Sequence, residues 1–297
     1  MLGVVNLFKP VGPTSHDMVG LVRRLTGMRR IGHAGTLDPL ASGVLPILVG
    51  AATRFSEELT GGRKRYDATI RLGQRSETDD SQGPLMPGDG PIPPDDPITT
   101  ALASFVGSIS QRPPAFSARK LGGATAHRAA RAGAPIELPP RQVTIDTIEV
   151  IAIDRREGLA DVRIDLRCGP GTYVRAIARD LGELLGCGGH LHALRRTEAA
   201  GLRATDALTP SALEALAEAG HLDEALVPLG ELLPLPRIEL DSAAARRFVN
   251  GSPVSDPHGG TDGRYVVLAG GELLGIGELR AGVIQPTKVI VGEASPA

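Results

Sequence analysis

One carboxylate stands out by its surroundings. The stretch GHAGTLDPLASGVLPILVG, residues 32–50, holds a single acid, Asp38, and neither Lys nor Arg. Asp38 lies between a turn of small residues and a nearly unbroken apolar run, and a carboxylate beside a core is costly unless something pairs it. Two uses fit. It can open an Asp-Pro turn and accept hydrogen bonds from nearby amides. Or it can be a reactive anion, kept ionised by a cation brought from elsewhere in the chain. The small residues of GHAGT let another backbone or a ligand approach closely, and the apolar run behind them excludes water, which weakens the reading of a plain turn aspartate.

The candidate partners are distant in sequence. Arg175, in GTYVRAIARDLG, falls in the first turn of a predicted helix. Side chains there tilt back toward the helix N-terminus, so Arg175 either reaches a cleft at the helix mouth or makes an ordinary surface ion pair. Tyr173 precedes Ile177 by one turn and shares the helix's apolar face. Tyr66 heads the inward face of an alternating strand, where it is either core or a platform for a planar ligand. With 3 Tyr and 0 Trp in the chain, each aromatic is worth placing. His33 lies just before Asp38, but no G-x-S-x-G elbow exists to complete a triad.

Other chemistries find less support. The 7 histidines form no H-E-x-x-H or Cys/His zinc spacing. There is no G-x-x-x-x-G-K-[ST], and no G-x-G-x-x-G follows a strand. The motif offers no second acid for a glycosidase pair or for the magnesium of a phospho-aspartyl hydrolase.

The elements that must position these residues can be read in outline. VVNLFKP predicts a strand ended by Lys9-Pro10. TSHDMVGLVRRLTG predicts a helix with a Thr14/Asp17 capping box, a stripe of Met18, Leu21, Val22 and Leu25, and Gly27 as its stop. VLPILV predicts a buried strand, and Ala51 to Leu59 a short helix. RKRYDATIRLG alternates, with Tyr66, Ala68, Ile70 and Leu72 on one face. Glu77 to Asp96 carries 6 acids and no basic residue in a Pro/Gly-rich run, which predicts an exposed loop. Ala160 to Cys168 predicts another strand, and a helix capped by Thr172 follows. The pattern lacks βαβ regularity and predicts an α+β domain. A proline-rich boundary near Pro228–Pro236 precedes a small β-rich tail, with Gly270-Gly271 suited to a hairpin.

Composition bounds the rest. At 297 residues and 41% hydrophobic, the chain can bury a sizeable core as one large or two ordinary domains. Cys168 and Cys187 are too few for a disulfide framework. No run approaches the roughly 18–20 apolar residues of a membrane span, and no signal peptide is read, so a soluble cytoplasmic protein is expected. Net charge is −2, yet basic residues cluster. Arg23, Arg24, Arg29 and Arg30 precede the motif. Arg63, Lys64 and Arg65 precede Tyr66. Arg112, Arg119, Lys120, Arg128 and Arg131 lie in an acid-free stretch between Pro97 and Ile136. A basic face focused on an otherwise acidic body is the footprint of a phosphate backbone.

GHAGTLDPLASGVLPILVGAATR closely resembles the signature of the TruB family of tRNA pseudouridine synthases. The resemblance continues in order through LFKPVGPTSHD, KRYDATIRLGQRSETDDSQG, PPAFSARKLGG, CGPGTYVRAIARDLGELLGCGGHLHALRRT and the tail. It implies an isomerase that converts uridine 55, in the tRNA T loop, to pseudouridine by base flipping without a cofactor or metal, and that also assists tRNA folding. It implies a catalytic domain over residues 1–235, with a central mixed, mainly antiparallel sheet flanked by helices and loops. An RNA-gripping thumb over about 113–140 and a small β-barrel PUA-like RNA-binding domain over 236–297 complete the expectation. Asp38 falls on the catalytic aspartate and Arg175 on its partner arginine. Tyr66 falls on the tyrosine that stacks on the base, His33 on the residue that pushes into the T loop, and Tyr173 and Leu194 on the uracil pocket. Lys9 and Pro10 match the N-terminal substrate motif. Arg119, Lys120, Arg128 and Arg131 fall in the thumb, where His127 stands in place of an expected aromatic. The implied partner is the tRNA T stem-loop, with no membrane, no obligate protein partner, and a monomeric chain. A non-catalytic RNA-binding or tRNA-folding protein is the rival reading, with Asp38 as the discriminator.

Overall fold

The computed structural model describes residues 1–116, 120–121, 124–125 and 138–290. Alternation drives its central sheet. In the strand Lys64–Leu72 each second side chain is buried and the intervening ones are half-exposed, and Leu159–Cys168 repeats the pattern beside it. The sheet runs Leu226–Val227, Gly3–Lys9, Ala41–Val49, Gly189–Ala199, Lys64–Leu72, Leu159–Cys168, Arg141–Arg156, Gly107–Gln111. These pairings are antiparallel except Ala41–Val49 against Gly189–Ala199, which is parallel. The α+β reading therefore holds, with a mixed, mainly antiparallel sheet.

Two helices close the core near the site. Ser15–Thr26 has the expected capping box between Thr14 and Asp17 and ends on left-handed Gly27. Its Met18, Val19 and Val22 pack on Val5, Leu45 and Ile47. Val174–Leu184 lays Ile177, Ala178 and Leu181 on Ile70, Val162 and Ile164. Gly182 permits this, since a Cβ there would lie 2.0 Å from the Gly189 nitrogen. Helix and sheet touch at backbone distance, which fixes the helix mouth relative to the strands.

Three sequence expectations need correction. Thr172 does not cap Val174–Leu184; the N-cap residue is Tyr173, and Thr172 Oγ1 instead donates to the Gly169 carbonyl at 3.2 Å. The helix expected over 51–59 is a 3-10 segment, Gly50–Phe55, followed by a single α-turn, Ser56–Thr60. The acidic run is not simply an exposed loop. Leu85–Pro87 pairs with Gln74–Ser76, Asp95–Ala103 is a helix, and Asp80 is buried.

The tail forms a five-stranded sheet ordered Arg237–Glu239, Gly263–Ala269, Glu272–Arg280, Val283–Val289, Val254–Ser255, with Phe248 of the helix Ser242–Val249 buried against it. Gly270 and Gly271, both at positive φ, make the expected hairpin turn. Glu58 of the Ser56–Thr60 turn, at 5% side-chain exposure, ties this sheet to that turn through Arg264 at 2.7 Å and Lys288 at 2.8 Å. Both cysteines are buried and unbridged. Among the described residues, no helix is long and apolar enough to cross a membrane and no acid, His or Cys cluster could hold a metal.

Candidate active site

The loop that carries Asp38 joins Ile31–His33 to Ala41–Val49 and is pinned on three sides. Ser15 Oγ accepts from the Leu37 N–H at 2.8 Å and donates to the Leu37 carbonyl at 3.0 Å. The Gly12 N–H donates to the Pro39 carbonyl at 2.8 Å. From below, Arg196 donates to the carbonyls of Gly35 (2.9 Å), Thr36 (3.4 Å) and Val44 (2.8 Å). Arg196 is 1% exposed, and its backbone sits between Tyr66 and Gly43 on the flanking strands. Gly43 is required there: its φ is +106° and a Cβ would lie 2.1 Å from the Arg196 carbonyl oxygen.

Asp38 faces a cavity of about 290 Å³ whose walls include Tyr66, Tyr173, Arg175 and Leu194. Its side chain is 36% exposed. The expected distant cation is in place, with Arg175 Nε 2.9 Å from Asp38 Oδ2. The Nε–H is not aligned as a hydrogen bond, so the contact is one of charge. The other two guanidinium nitrogens are committed, Nη1 to the Thr78 carbonyl at 3.1 Å and Nη2 to the Phe116 carbonyl at 2.9 Å. A cation in the first turn of a helix opposes the macrodipole, and burial adds to the cost. Acids must therefore compensate it.

The second acid is Asp80, which sequence reasoning missed. Its Oδ2 lies 3.7 Å from Arg175 Nε and its side chain is 7% exposed. Its Oδ1 accepts from Thr78 Oγ1 at 2.6 Å and from the Gln82 N–H at 3.1 Å. Neighbouring Asp79 takes a left-handed backbone, φ +60°, and pairs with Arg179 at 2.9 Å. Strain of this kind in a non-glycine residue clusters at functional sites. Arg175 and Arg179 are one helical turn apart, and that i, i+4 spacing opposite Asp79-Asp80 was the available signal. Arg196 was also missed; its signal was its place two residues from Leu194, on one strand.

Tyr66 is buried, and that burial pushes its phenol above the usual range. Lys64, which also lines the cavity, is lowered to about 8 by burial and then by Arg196. Its Nζ donates to the carbonyls of Thr60 and Gly62. Lys9 and His33 do not line the cavity. Lys9 is fully buried and donates to the Pro10 and Pro13 carbonyls at 2.8 Å, and burial lowers it to about 8. His33 is half-buried beside Ile47, is lowered by burial, and has an unpartnered Nδ1. Arg119, Arg128 and Arg131 lie outside the described residues, as do His127 and the side chain of Lys120.

The chain that builds this pocket has known relatives. Residues 23–174 match the model of the TruB family pseudouridylate synthase N-terminal domain. This chain belongs to the TruB family. Residues 175–234 match the tRNA pseudouridylate synthase B C-terminal domain, and residues 236–290 match the pseudouridine synthase II TruB C-terminal model. The tRNA pseudouridine synthase B of Ralstonia pickettii (strain 12J) is 39% identical over 300 residues, covering 97% of this chain and 94% of that protein. That of Mycobacterium sp. (strain KMS) is 44% identical over 271 residues, covering 90% and 88%. A chain in the crystal structure of a Cbf5-Nop10-Gar1 complex superposes with a TM-score of 0.73 at 26% identity, covering 97% of this chain and 85% of that one. The α+β fold and the isomerase class expected from the TruB resemblance accord with these matches.

Proposed function

We propose that this TruB-family enzyme isomerises uridine 55 in the T loop of tRNA to pseudouridine, with Asp38 as the essential carboxylate. The observation that carries the reading is the Asp38–Arg175 pair, 2.9 Å apart and open on one side to a cavity walled by Tyr66. The reaction breaks the C1′–N1 bond, turns the uracil, and joins C5 to C1′; the C5 proton is released and N1 gains one. It is redox-neutral and needs an anion, a base-shaped slot and exclusion of water.

Each residue has a part in this reading. The target base leaves its stack at a cost of a few kcal/mol. Stacking on Tyr66 returns ~1–3 kcal/mol, by analogy with single-strand binders. Tyr173 and Leu194 close the slot, and His33 enters the loop the base vacates. Arg175 sets a fixed positive charge beside the Asp38 carboxylate where the pocket wall turns apolar. Lys9 braces the N-terminal turn through the Pro10 and Pro13 carbonyls, and Gly12 ties that turn to the Asp38 loop. Residues 1–235 form the catalytic domain. The RNA backbone is held by Arg119, Lys120, Arg128 and Arg131 of the 113–140 insertion and by the 236–297 domain.

The test is tritium release from an unmodified tRNA transcript carrying [5-³H]uridine, with the modified position mapped. The intact protein is expected to release one tritium per tRNA, from position 55. Asp38→Asn is expected to bind the transcript and release none. Wild-type turnover by that variant, or modification elsewhere, would overturn the reading. Binding and folding of tRNA with no tritium released by either protein would favour the RNA-binding rival.

A further inference from the structure

The helix that carries Arg175 lacks the side-chain cap its sequence promised, and the cap comes from another strand. Gln111 ends the strand Gly107–Gln111, opposite Arg141 in the antiparallel register. It is 0% exposed. Its Oε1 accepts from the Tyr173 N–H at 2.8 Å, and its Nε2 donates to the Tyr173 carbonyl at 3.1 Å. Tyr173 is the N-cap residue of Val174–Leu184 and has no capping side chain of its own. A primary amide presents a donor and an acceptor side by side in one plane at this length. Gln111 thus grips one peptide as a neighbouring strand would, and in doing so fixes a wall of the cavity.

The surrounding contacts come from the same place. Phe116 and Arg112 follow Gln111 in the chain; their carbonyls accept from Arg175 Nη2 and from Arg179 Nη2, each at 2.9 Å. On the returning leg, the Arg141 guanidinium lies 5.9 Å from the centre of the Tyr173 ring. Both legs at the foot of the 113–140 insertion are therefore joined to the short segment that supplies Tyr173 and Arg175. Arg175 in turn contacts Asp38.

We infer that Gln111 is a positioning residue, which sets Tyr173 and Arg175 from the foot of the insertion so that the Asp38–Arg175 geometry depends on how that foot is seated. This rests on the reading of the pocket given above. Gln111 touches neither base nor sugar in this account; it acts through the peptide of Tyr173.

A double-mutant cycle tests it, with single-turnover rates on tRNA transcript, transcript affinity, and the folded fraction measured for each protein. Gln111→Met keeps side-chain length and removes both hydrogen bonds. It is expected to slow the single-turnover step at least tenfold, while affinity stays within twofold and the rate is normalised to folded protein. In an Arg175→Lys background the same change is expected to cost less than threefold, because the geometry it protects is already lost. If Gln111→Met does not fold, Gln111→Asn, which keeps the amide but falls short of Tyr173, carries the same cycle. An unchanged rate per folded molecule, or equal losses in both backgrounds, overturns the inference. Asp38→Asn runs beside them. If it is fully active the pocket reading fails, whereas an inert Asp38→Asn with a fast Gln111→Met overturns only the positioning role.

Discussion

Asp38 and Asp80 share one arginine and differ in almost everything else. Asp38 meets Arg175 at 2.9 Å with its side chain 36% exposed toward the cavity. Asp80 stands at 3.7 Å, 7% exposed, with its other oxygen occupied by Thr78 and Gln82. A carboxylate that is to react must keep an oxygen free, and one that only compensates a buried cation is best fully bonded. In the proposed function the first does the chemistry and the second supports the shared arginine.

The sharpest way to break this comparison is to remove each charge with little change of shape. Asp38→Asn is expected to lower the single-turnover rate by at least about 10³-fold, or ~4 kcal/mol of barrier, with transcript affinity and thermal midpoint near wild type. An active Asp38→Asn would leave the two acids functionally alike. Arg175→Lys comes next, at about 10²-fold or more. Arg175 reaches two acids and two carbonyls through its fork, and a point charge cannot serve all four. Affinity for the transcript should hold, because the arginine faces inward. A loss of affinity with an intact rate would move Arg175 to the RNA surface.

Asp80→Asn should invert the pattern of Asp38→Asn. Its rate loss is expected to be smaller, about tenfold, and its stability loss larger. Removing the charge of a sealed carboxylate that accepts from Thr78 and Gln82 costs about 1–3 kcal/mol, whereas Asp38, one-third exposed, should cost under about 1 kcal/mol. Urea midpoints of the two variants measure this. If Asp38→Asn proves the less stable of the two, the open carboxylate is also the structural one.

The same contrast explains what the sequence disclosed. The Asp38 half of the pocket is local. One motif contains the turn, the acid and the strand behind it, so type and order alone point to it. Alternation in Lys64–Leu72 and the capping box of Ser15–Thr26 were legible for the same reason. The other half is assembled from afar. Asp80 lies in an acidic run whose composition reads as solvent-exposed, and only the arginines of a later helix make it interior. Thr172 has the residue type of a cap, but tertiary contact with Gln111 supplied the hydrogen bond instead. Arg196 was passed over because a buried arginine with three carbonyl acceptors needs the fold to bring those carbonyls together.

The smallest expected effect concerns the sealed cations. Lys9 is lowered to about 8, chiefly by burial, while nearby Asp38 pulls it upward. An unfolded lysine titrates near 10.5. Between those values the unfolded chain binds more protons than the folded one, so this group makes stability rise with pH from about 8 toward 10.5 and adds no slope well below 8. Lys9→Met should therefore flatten the rise in urea midpoint between about pH 8 and 10. Measurement must stop near there, because the Tyr66 phenol is pushed up by burial and acts with the opposite sign above its usual range. Asp38→Asn sharpens the point. Without the anion, Lys9 should fall further and the rise should begin at lower pH. If the slope in that window is unchanged in Lys9→Met, the lysine keeps its proton through the two proline carbonyls. If Asp38→Asn leaves the onset of the rise where it is in the wild type, the open carboxylate has no electrostatic hold on Lys9.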